Sequence, residues 1–223
     1  MGTYHHREPA LFMPPANAVP AHSDYHDFIV NALAQRRIQL GMALESLTTR
    51  ATVLTEVAME LVETLRSGHK VLVAGNGGSA AQAQHLTAEM VGRFKRERAP
   101  YAVISLSTDL AIITAVSNDY GYQDVFARQV RALGQPGDLL MAFSTSGESE
   151  NLLRAAQAGR EGLLTVVAVT GEQPSRLERL ADMTIRVPLV DTATVQELHM
   201  VVIHILCDLA ESRLSVCENE GNV

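Results

Sequence analysis

One stretch, from residue 71 to residue 89, limits what this chain can fold into more than any other. Residues 71–74 are apolar and typical of a short buried strand, and glycines follow at positions 75, 77 and 78. Ser79 is then predicted to cap a helix rich in alanine, glutamine and leucine. Such a helix start offers free backbone N–H groups and the positive end of the helix dipole, which suits a phosphate or a polar sugar. The stretch matches neither the dinucleotide fingerprint nor a Walker loop.

Two polar side chains lie further along this predicted helix. His85 and Glu89 are four residues apart, so they share one face of the helix. An imidazole and a carboxylate at this spacing suit either one divalent metal ion or an acid–base pair. An ordinary solvated pair of helical side chains has the same spacing, and the spacing alone does not decide between these alternatives.

Composition sets the class of protein. With 223 residues, 47% hydrophobic and 19% charged, the chain is long enough for one full α/β core or two small ones. No apolar run approaches the roughly 20 residues of a membrane span, and the N-terminus lacks the pattern of a signal peptide. The net charge of −7 argues against a nucleic-acid partner. We therefore expect a cytoplasmic protein that binds neither membranes nor nucleic acid.

The N-terminal residues and the cysteines give two further expectations. Residues 1–22 carry four prolines and no helical period, which predicts an extended arm before a single domain at residues 23–223. The adjacent His5 and His6 lie in this arm, where such pairs usually bind nothing. Cys207 and Cys217 are too few for a zinc quartet, and we expect them to be ordinary reduced thiols.

Helices and strands alternate along the rest of the chain. Two helical patterns, from about Asp24 and over residues 52–65, predict a helical hairpin before the first strand, a unit that often mediates oligomerisation. Apolar strands then recur with helices between them, and a long final helix starts at Thr192. This order predicts an α/β fold with a doubly wound parallel sheet covered by helices on both faces. Further strands are predicted at residues 102–106, 139–143, 165–169 and 183–187, and helices at 109–116, 124–133 and 151–160.

Ligands bind such sheets at the carboxyl ends of the strands, so the polar loops after strands are candidate sites. Four hydroxyls after the strand at 139–143 would cradle a phosphate monoester, although an ordinary capping loop has a similar composition. These hydroxyls belong to Ser144, Thr145, Ser146 and Ser149. In a predicted polar loop at residues 117–121, Asn118 and Asp119 could bond sugar hydroxyls or serve only as turn residues.

The final helix carries Gln196, His199 and His204 among apolar residues. A histidine on an apolar helix is by default a core residue. Gln196 and His204 lie eight residues apart, about 12 Å along the axis, which is awkward for one small ligand shell. We therefore predict that the active site is shared between subunits, with Glu89 and His204 of one site coming from different chains.

Several motifs in this order resemble those of the sedoheptulose 7-phosphate isomerases, also called phosphoheptose isomerases, which have the sugar-isomerase (SIS) fold. They are Gly75-Asn-Gly-Gly-Ser with His85 and Glu89, Asn118-Asp-Tyr-Gly-Tyr, Ser144-Thr-Ser-Gly, and Gln196-Glu-Leu-His with His204. The resemblance covers residues 24–213. It implies a homotetramer that converts D-sedoheptulose 7-phosphate to D-glycero-D-manno-heptose 7-phosphate for bacterial surface heptose.

The resemblance also implies site residues. Glu89 would be the base and His204 the acid. One zinc ion per subunit would be held by His85, Glu89, Gln196 and His204. Substrate contacts would come from Asn76, Gly77, Gly78, Ser79, Glu89, Asn118, Asp119, Ser144, Thr145, Ser146, Ser149 and Gln196.

The chain departs from the family pattern at two site positions. Glu148 stands where asparagine is usual, and we expect its carboxylate to face away from a bound phosphate. Thr194 stands where an arginine is common, which removes a cation near the substrate. The N-terminal arm is also longer than usual. These departures leave open an isomerase for another sugar phosphate.

Two relatives with other functions share the fold. A non-enzymatic relative that binds the bacterial replication initiator lacks the carboxylate and the last histidine of the site. Glu89 and His204 are both present here, which favours an enzyme. A sugar-phosphate-sensing regulator would need a DNA-binding segment beside the SIS domain, and we find none in the sequence.

Overall fold

The computed structural model describes the backbone of residues 22–220 and the side chains of residues 22–215. The chain divides into two compact units, residues 1–38 and 39–223. The predicted arm, with His5 and His6, lies outside the described residues except for His22, which begins the first helix. All the candidate site residues belong to the second unit.

Two helices precede the first strand, as expected, and only Arg50 separates them. The helices are α1 (His22–Thr49), α2 (Ala51–Arg66), α3 (Gly78–Val91), α4 (Leu110–Tyr120), α5 (Val125–Leu133), α6 (Glu150–Glu161), α7 (Arg176–Leu180) and α8 (Thr192–Glu220). The strands are β1 (Val71–Gly75), β2 (Val103–Ser105), β3 (Leu139–Ser144), β4 (Thr165–Thr170) and β5 (Met183–Arg186). A short 3-10 helix, Tyr122–Asp124, leads into α5.

The five strands form one parallel sheet in the order β2-β1-β3-β4-β5, which confirms the predicted doubly wound fold. β1 is paired with β2 on one side and with β3 on the other, so the winding direction reverses at β1. In open α/β sheets the crevice at this reversal, outside the carboxyl ends of the strands, is where ligands bind. The fold therefore places the candidate site between the ends of β1 and β3.

Helices cover both faces of the sheet, as predicted. Successive strand residues point to opposite faces, so Val71 and Val73 pack with α2, α3 and α8, whereas Leu72 and Ala74 pack with α5, α6 and α7. Every residue of β1 and β3 is buried, as expected for central parallel strands. The two loops that follow these strands are thus attached to the buried centre of the sheet.

The start of α3 differs from the prediction by two residues. The helix begins at Gly78, and Gly77, with φ of 54°, takes the preceding position that was predicted for Ser79. This left-handed conformation, which glycine adopts at little cost, turns the chain into the helix early. Ser79 lies buried in the first turn, where its N–H donates to the carbonyl of Asn76.

The prediction of a polar loop at residues 117–121 is wrong. Residues 117–120 form the last turn of α4, and the helix ends at Gly121, whose φ is 89°. Polar residues in a final turn are compatible with a helix that a glycine terminates. α7 was not predicted, although Ser175 and Glu178, which form a capping box at its start, are a readable signal.

α8 runs through the core. Its segment Thr192–Ser215 is long and apolar enough to cross a membrane by length and composition, but half of it is buried inside the protein. The core helix of a soluble protein meets the same criterion, so this is weak evidence for a membrane span. Cys207 lies on this helix as a buried free thiol, and burial raises its pKa to about 12. Cys217 lies beyond the described side chains.

His199, also on α8, is the core histidine that the sequence predicted. It is completely buried, and its Nε2 donates to the carbonyl oxygen of Thr170 at 3.2 Å. Burial is the main influence on its pKa, which falls from 6.5 to about 4. The imidazole is therefore neutral in the folded protein at any pH above that value.

This burial predicts acid-sensitive stability. Between pH 6.5 and 4 the unfolded chain binds a proton at His199 and the folded chain does not, so stability decreases as the pH falls. The loss should reach about 3 kcal/mol at pH 4. Urea unfolding at several pH values would measure it, with His199→Gln as the comparison because glutamine does not titrate. Parallel curves for parent and variant would contradict the prediction.

Candidate active site

The loops after β1 and β3 lie side by side, because Gly75 of β1 pairs with Phe143 of β3. They enclose a cavity of about 290 Å³. Most of the predicted substrate-binding residues line it, namely Asn76, Gly77, Gly78, Ser79, Ser144, Thr145, Ser146, Ser149 and Gln196. We call this cavity the cradle. Its position at the reversal point of the sheet is the one that the fold favours for ligands.

The hydroxyls of the cradle are oriented by its own backbone. The Ser144 Oγ accepts a hydrogen bond from the N–H of Gly147 at 3.0 Å, and the Ser146 Oγ accepts one from Glu148 at 3.2 Å. Because each oxygen acts as an acceptor, its O–H is left to donate. The loop is therefore an internally bonded turn whose hydroxyl protons suit an anionic ligand.

The two departures from the family pattern are both accounted for. The Glu148 carboxylate accepts a hydrogen bond from the N–H of Arg176 at 2.8 Å and does not line the cradle, which confirms the expectation that it faces away. Thr194 is buried, and its hydroxyl bonds the carbonyl of Asp191 at 3.0 Å at the start of α8. Neither residue therefore places a charge in the cradle.

Two residues that the sequence analysis missed orient Asn76. The side-chain amides of Asn76 and Asn151 donate to each other at 2.9 Å, and the Tyr122 hydroxyl donates to Asn76 Oδ1 at 2.7 Å. The Asn76 Oδ1 thus accepts two hydrogen bonds, and one of the two N–H groups of the Asn76 side-chain amide donates to Asn151. The other N–H is available to a ligand in the cradle. No sequence motif indicated a role for Asn151 in the site, because its position in the first turn of α6 is ordinary for an asparagine.

The structure does not bring Asn118 and Asp119 into the cradle. They lie on the last turn of α4, where the Asn118 amide donates to the Asp119 carboxylate at 2.8 Å. Neither residue lines the cradle or the cavity next to it. Their contact with a sugar stays a prediction.

A second cavity, of about 550 Å³, adjoins the cradle. Gly78 and Gln196 line both cavities, and His85 lines the second. A Cβ atom at Gly78 would meet the amide end of the Gln196 side chain, so these two residues are in close contact. Gly78 and Gln196 therefore form the boundary between the two neighbouring cavities.

Three polar side chains come together where α3 packs on α8. The His85 Nε2 lies 3.0 Å from the His204 Nε2 and 3.4 Å from the Glu89 Oε1. The Phe94 ring stacks on the His204 imidazole with 5.4 Å between the ring centroids. The Glu89 and His85 side chains are 24% and 36% exposed, so both remain accessible. We call His85, Glu89 and His204 the polar trio.

This arrangement corrects the reasoning about the final helix. The distance along α8 was taken to require a second chain, because Gln196 and His204 lie far apart on it. His85 removes the difficulty, since it lines a cavity with Gln196 and contacts His204 in the same chain. The spacing along α8 is therefore no reason for Glu89 and His204 of one site to come from different chains, and a site shared between subunits stays a prediction.

The chemistry of the trio fits zinc, although its present arrangement is not a ligand cage. Imidazole nitrogens and a carboxylate oxygen are ordinary zinc ligands, and separations of 3.0 and 3.4 Å suit ligands that are each about 2 Å from one ion. As they stand, the described His, Cys, Asp and Glu side chains form no group of three that could hold a metal ion. The direct contact between His85 and His204 needs an N–H at one of the two facing Nε2 atoms, whereas a metal bound by both atoms needs a lone pair on each, so binding a metal here requires that proton to leave its Nε2.

Comparisons with known proteins show the family to which the chain belongs. The SIS domain family matches residues 39–171. The phosphoheptose isomerase of Pelobacter propionicus is 50% identical over 161 residues, which cover 72% of this chain and 85% of that protein. That of a Roseiflexus species is 47% identical over 169 residues, covering 76% and 86%.

A solved structure gives the same result. The phosphoheptose isomerase GmhA of Neisseria gonorrhoeae superposes with a TM-score of 0.77 at 36% identity, covering 84% of this chain and 99% of that one. The identity and coverage of these relatives place the chain well within one group of enzymes. The chain therefore belongs to the phosphoheptose isomerase family and is an isomerase built on a SIS domain.

Proposed function

We propose that this isomerase converts D-sedoheptulose 7-phosphate to D-glycero-D-manno-heptose 7-phosphate. The observation that carries the proposal is that the cradle lies next to the cavity lined by His85, with Gly78 and Gln196 in the walls of both. A heptose 7-phosphate has its phosphate at one end and its reacting carbons at the other. In the proposal its phosphate lies in the cradle and its reacting carbons lie on the side of His85.

The cradle supplies what a phosphate monoester needs. The hydroxyls of the 144–149 loop donate hydrogen bonds, and the start of α3 directs its dipole towards the same cavity. Asn76 adds an N–H that Asn151 and Tyr122 hold in place. Since the Glu148 carboxylate bonds Arg176 instead, no negative charge of this loop opposes the phosphate.

In the proposed reaction a proton moves between two neighbouring carbons. Glu89, as the base, removes a proton from C1 of the open-chain ketose, and the electrons form the C1–C2 double bond of an enediol. Glu89 then returns the proton to C2, and the C1–O bond becomes the aldehyde. His204 moves the accompanying proton between the C1 and C2 oxygens. Atoms and charge balance without an external oxidant or reductant.

We also propose a zinc ion, held by His85, Glu89, Gln196 and His204. Zinc would polarise the substrate carbonyl and stabilise negative charge on its oxygen. The proposal is supported by the donor chemistry and spacing of the trio. Elemental analysis of the purified protein, and calorimetric titration of the metal-free protein with zinc, would test it. A His85→Ala variant that bound zinc as tightly as the parent would count against this ligand set.

The assembly proposed is a cytoplasmic homotetramer, with residues 23–223 as one SIS domain, acting in bacterial heptose biosynthesis. Two apolar grooves support an oligomer. They lie along α2 and α8, have volumes of about 790 and 410 Å³, and share Ala58 and Leu209 in their walls. Exposed apolar residues such as Met59 and Ile205 are surfaces that a neighbouring subunit would bury. Because His85 contacts both Glu89 and His204 within one chain, we propose that any sharing of sites between subunits involves other residues.

A turnover assay tests the function directly. The purified protein should isomerise sedoheptulose 7-phosphate, and a chelator should reduce the rate. Turnover of a different sugar phosphate with a higher kcat/KM would reassign the substrate while keeping the reaction class. Absence of turnover with every aldose or ketose phosphate would refute the proposal.

The cradle yields a prediction of its own. Ser144→Ala and Ser146→Ala should each raise the KM for the sugar phosphate, because each removes a hydrogen bond to a charged group, which contributes about 1.5–3 kcal/mol. Inorganic phosphate should compete with the substrate in the parent enzyme. The dephosphorylated heptulose is the matched control, and its weak binding should not change in the variants. Equal binding of the sugar with and without phosphate would contradict the assignment.

A further inference from the structure

Glu211 is a buried carboxylate that the proposed reaction does not use. It is completely buried on α8, and it accepts hydrogen bonds from the backbone N–H groups of Phe94, Lys95 and Arg96 at 2.8, 2.8 and 2.9 Å. Burial works to raise its pKa, but the three amides and Arg98 outweigh burial and hold the pKa below its ordinary value. Glu211 is therefore an ionised side chain whose carboxylate holds the backbone of the segment following α3 by hydrogen bonds.

These hydrogen bonds to Glu211 place Phe94 against His204. Glu211 lies seven residues after His204, which is two turns of α8 and about 20° around the helix, so both side chains face the same segment. The Phe94 ring stacks on the His204 imidazole at an interplanar angle of 28°. The His85 ring lies on another side of that imidazole, with 5.2 Å between centroids. The orientation of His204 therefore depends on where Glu211 holds Phe94.

Arg98 extends the same connection to Glu89. Its side chain is completely buried, its Nε lies 3.3 Å from the Glu211 Oε1, and its Nη2 donates to the backbone carbonyl of Glu89 at 2.8 Å. Its Nη1 also donates to the carbonyl of Gly92 at 2.8 Å. These carbonyl groups belong to the last turn of α3 and its cap, where backbone carbonyls have no hydrogen-bond partner within the helix. Arg98 thereby fixes the turn that carries Glu89.

A buried ion pair is costly unless its groups are fully bonded, and it rarely stabilises more than apolar residues of similar size would. This pair connects, through one short segment, the backbone at Glu89 with the ring at His204. We propose that Glu211, with Arg98, is a positioning residue of the enzyme, which sets the geometry of Glu89 and His204 relative to each other through Phe94. The assignment of Glu89 and His204 as the reacting groups rests on the proposed function.

The chain provides a matched control on the same helix. Asp208 precedes Glu211 by three residues and holds the same segment, but through the exposed side chains of Lys95 and Arg96, at 2.7 and 2.8 Å. Exposed ion pairs contribute little to stability. Asp208→Asn should therefore leave kcat within about twofold of the parent, whereas Glu211→Gln removes the buried charge with little change in shape.

The expected result is a change in kcat alone. Glu211→Gln should lower kcat by about 10- to 100-fold, because small displacements of reacting groups have effects of that size. The KM and the inhibition constant of inorganic phosphate should stay near parent values, since the cradle is formed by other loops. Phe94→Leu should also lower kcat and Phe94→Tyr should preserve it. The double variant Glu211→Gln with Phe94→Leu should have a kcat no lower than that of Glu211→Gln alone, because both substitutions disturb the same connection between Glu211 and His204.

A spectroscopic readout separates this inference from the proposed function. The ring current of Phe94 shifts the His204 ring-proton resonances upfield, and His204→Gln identifies them. Glu211→Gln should move these resonances towards their positions in Phe94→Leu, whether or not the parent turns over the heptose phosphate. A folded Glu211→Gln with unchanged kcat and unchanged resonances would overturn the inference. If that variant does not fold, unchanged kcat in Phe94→Leu would overturn it instead.

Discussion

Glu89→Gln is expected to reduce isomerisation by about 10²–10⁴-fold, the usual cost of losing a general base. Glutamine has the length and shape of glutamate, so the contact with His85, 3.4 Å in the parent, survives as a neutral one. The cradle does not include Glu89, and inorganic phosphate should therefore inhibit or bind as before. Turnover would be followed with sedoheptulose 7-phosphate and binding by calorimetry.

The matched control for this substitution is Glu97→Gln. Glu97 lies a few residues further along, with a side chain that is 91% exposed. It should retain the parent rate and the parent stability. Exchange of the C1 proton with deuterated solvent offers a second measurement, because Glu89→Gln should suppress it together with turnover. Parent-like turnover in Glu89→Gln would remove Glu89 from the role of base.

The fold was predictable because its signals are local and repeated. The three central strands, β1, β3 and β4, are largely apolar runs buried on both faces, so hydrophobicity located them, whereas the edge strands β2 and β5 are partly exposed. The two errors at helix ends have a different origin. At Gly77 and Gly121 a backbone conformation with positive φ decides where a helix begins or ends, and a glycine in a sequence does not reveal which conformation it takes.

The candidate site was predictable where one loop contains it. Ser144 ends β3, Ser146 follows it, and Gly78 begins the helix after β1, so the rule for parallel sheets already places them at one edge. Asn151 and Tyr122 could not be predicted, because their role depends on a contact between side chains far apart in sequence. Burial and pairing across such distances are properties of the packed structure and not of any local pattern.

The polar trio was the point at which reasoning from spacing failed. The rise of a helix gives the distance between two of its residues, but not which neighbouring helix packs between them. α3 lies against α8, and a single side chain, His85, spans the interval that was attributed to a second subunit. Two consequences follow for experiments on His204.

The first is that His204→Gln should lower the rate of isomerisation by about 10²–10⁴-fold, as expected for loss of a general acid. His204 contacts His85 at 3.0 Å and stacks on Phe94, so glutamine fills much of the space and the domain should stay folded. His199→Gln, at the other histidine of α8, is the control. It should change the pH dependence of stability, as argued above, without a comparable loss of kcat.

The second consequence is that His204→Gln and Glu89→Gln should not rescue each other. Equal amounts of the two inactive variants, unfolded and refolded together, would restore about a quarter of the sites if the two residues came from different chains. Because His85 contacts both side chains within one chain, every site should instead carry one defect. We expect no activity above that of the separate variants, with mixed oligomers verified by differently tagged chains. Recovery near a quarter would mean that the assembled enzyme joins Glu89 of one subunit to His204 of another, despite their proximity within the chain.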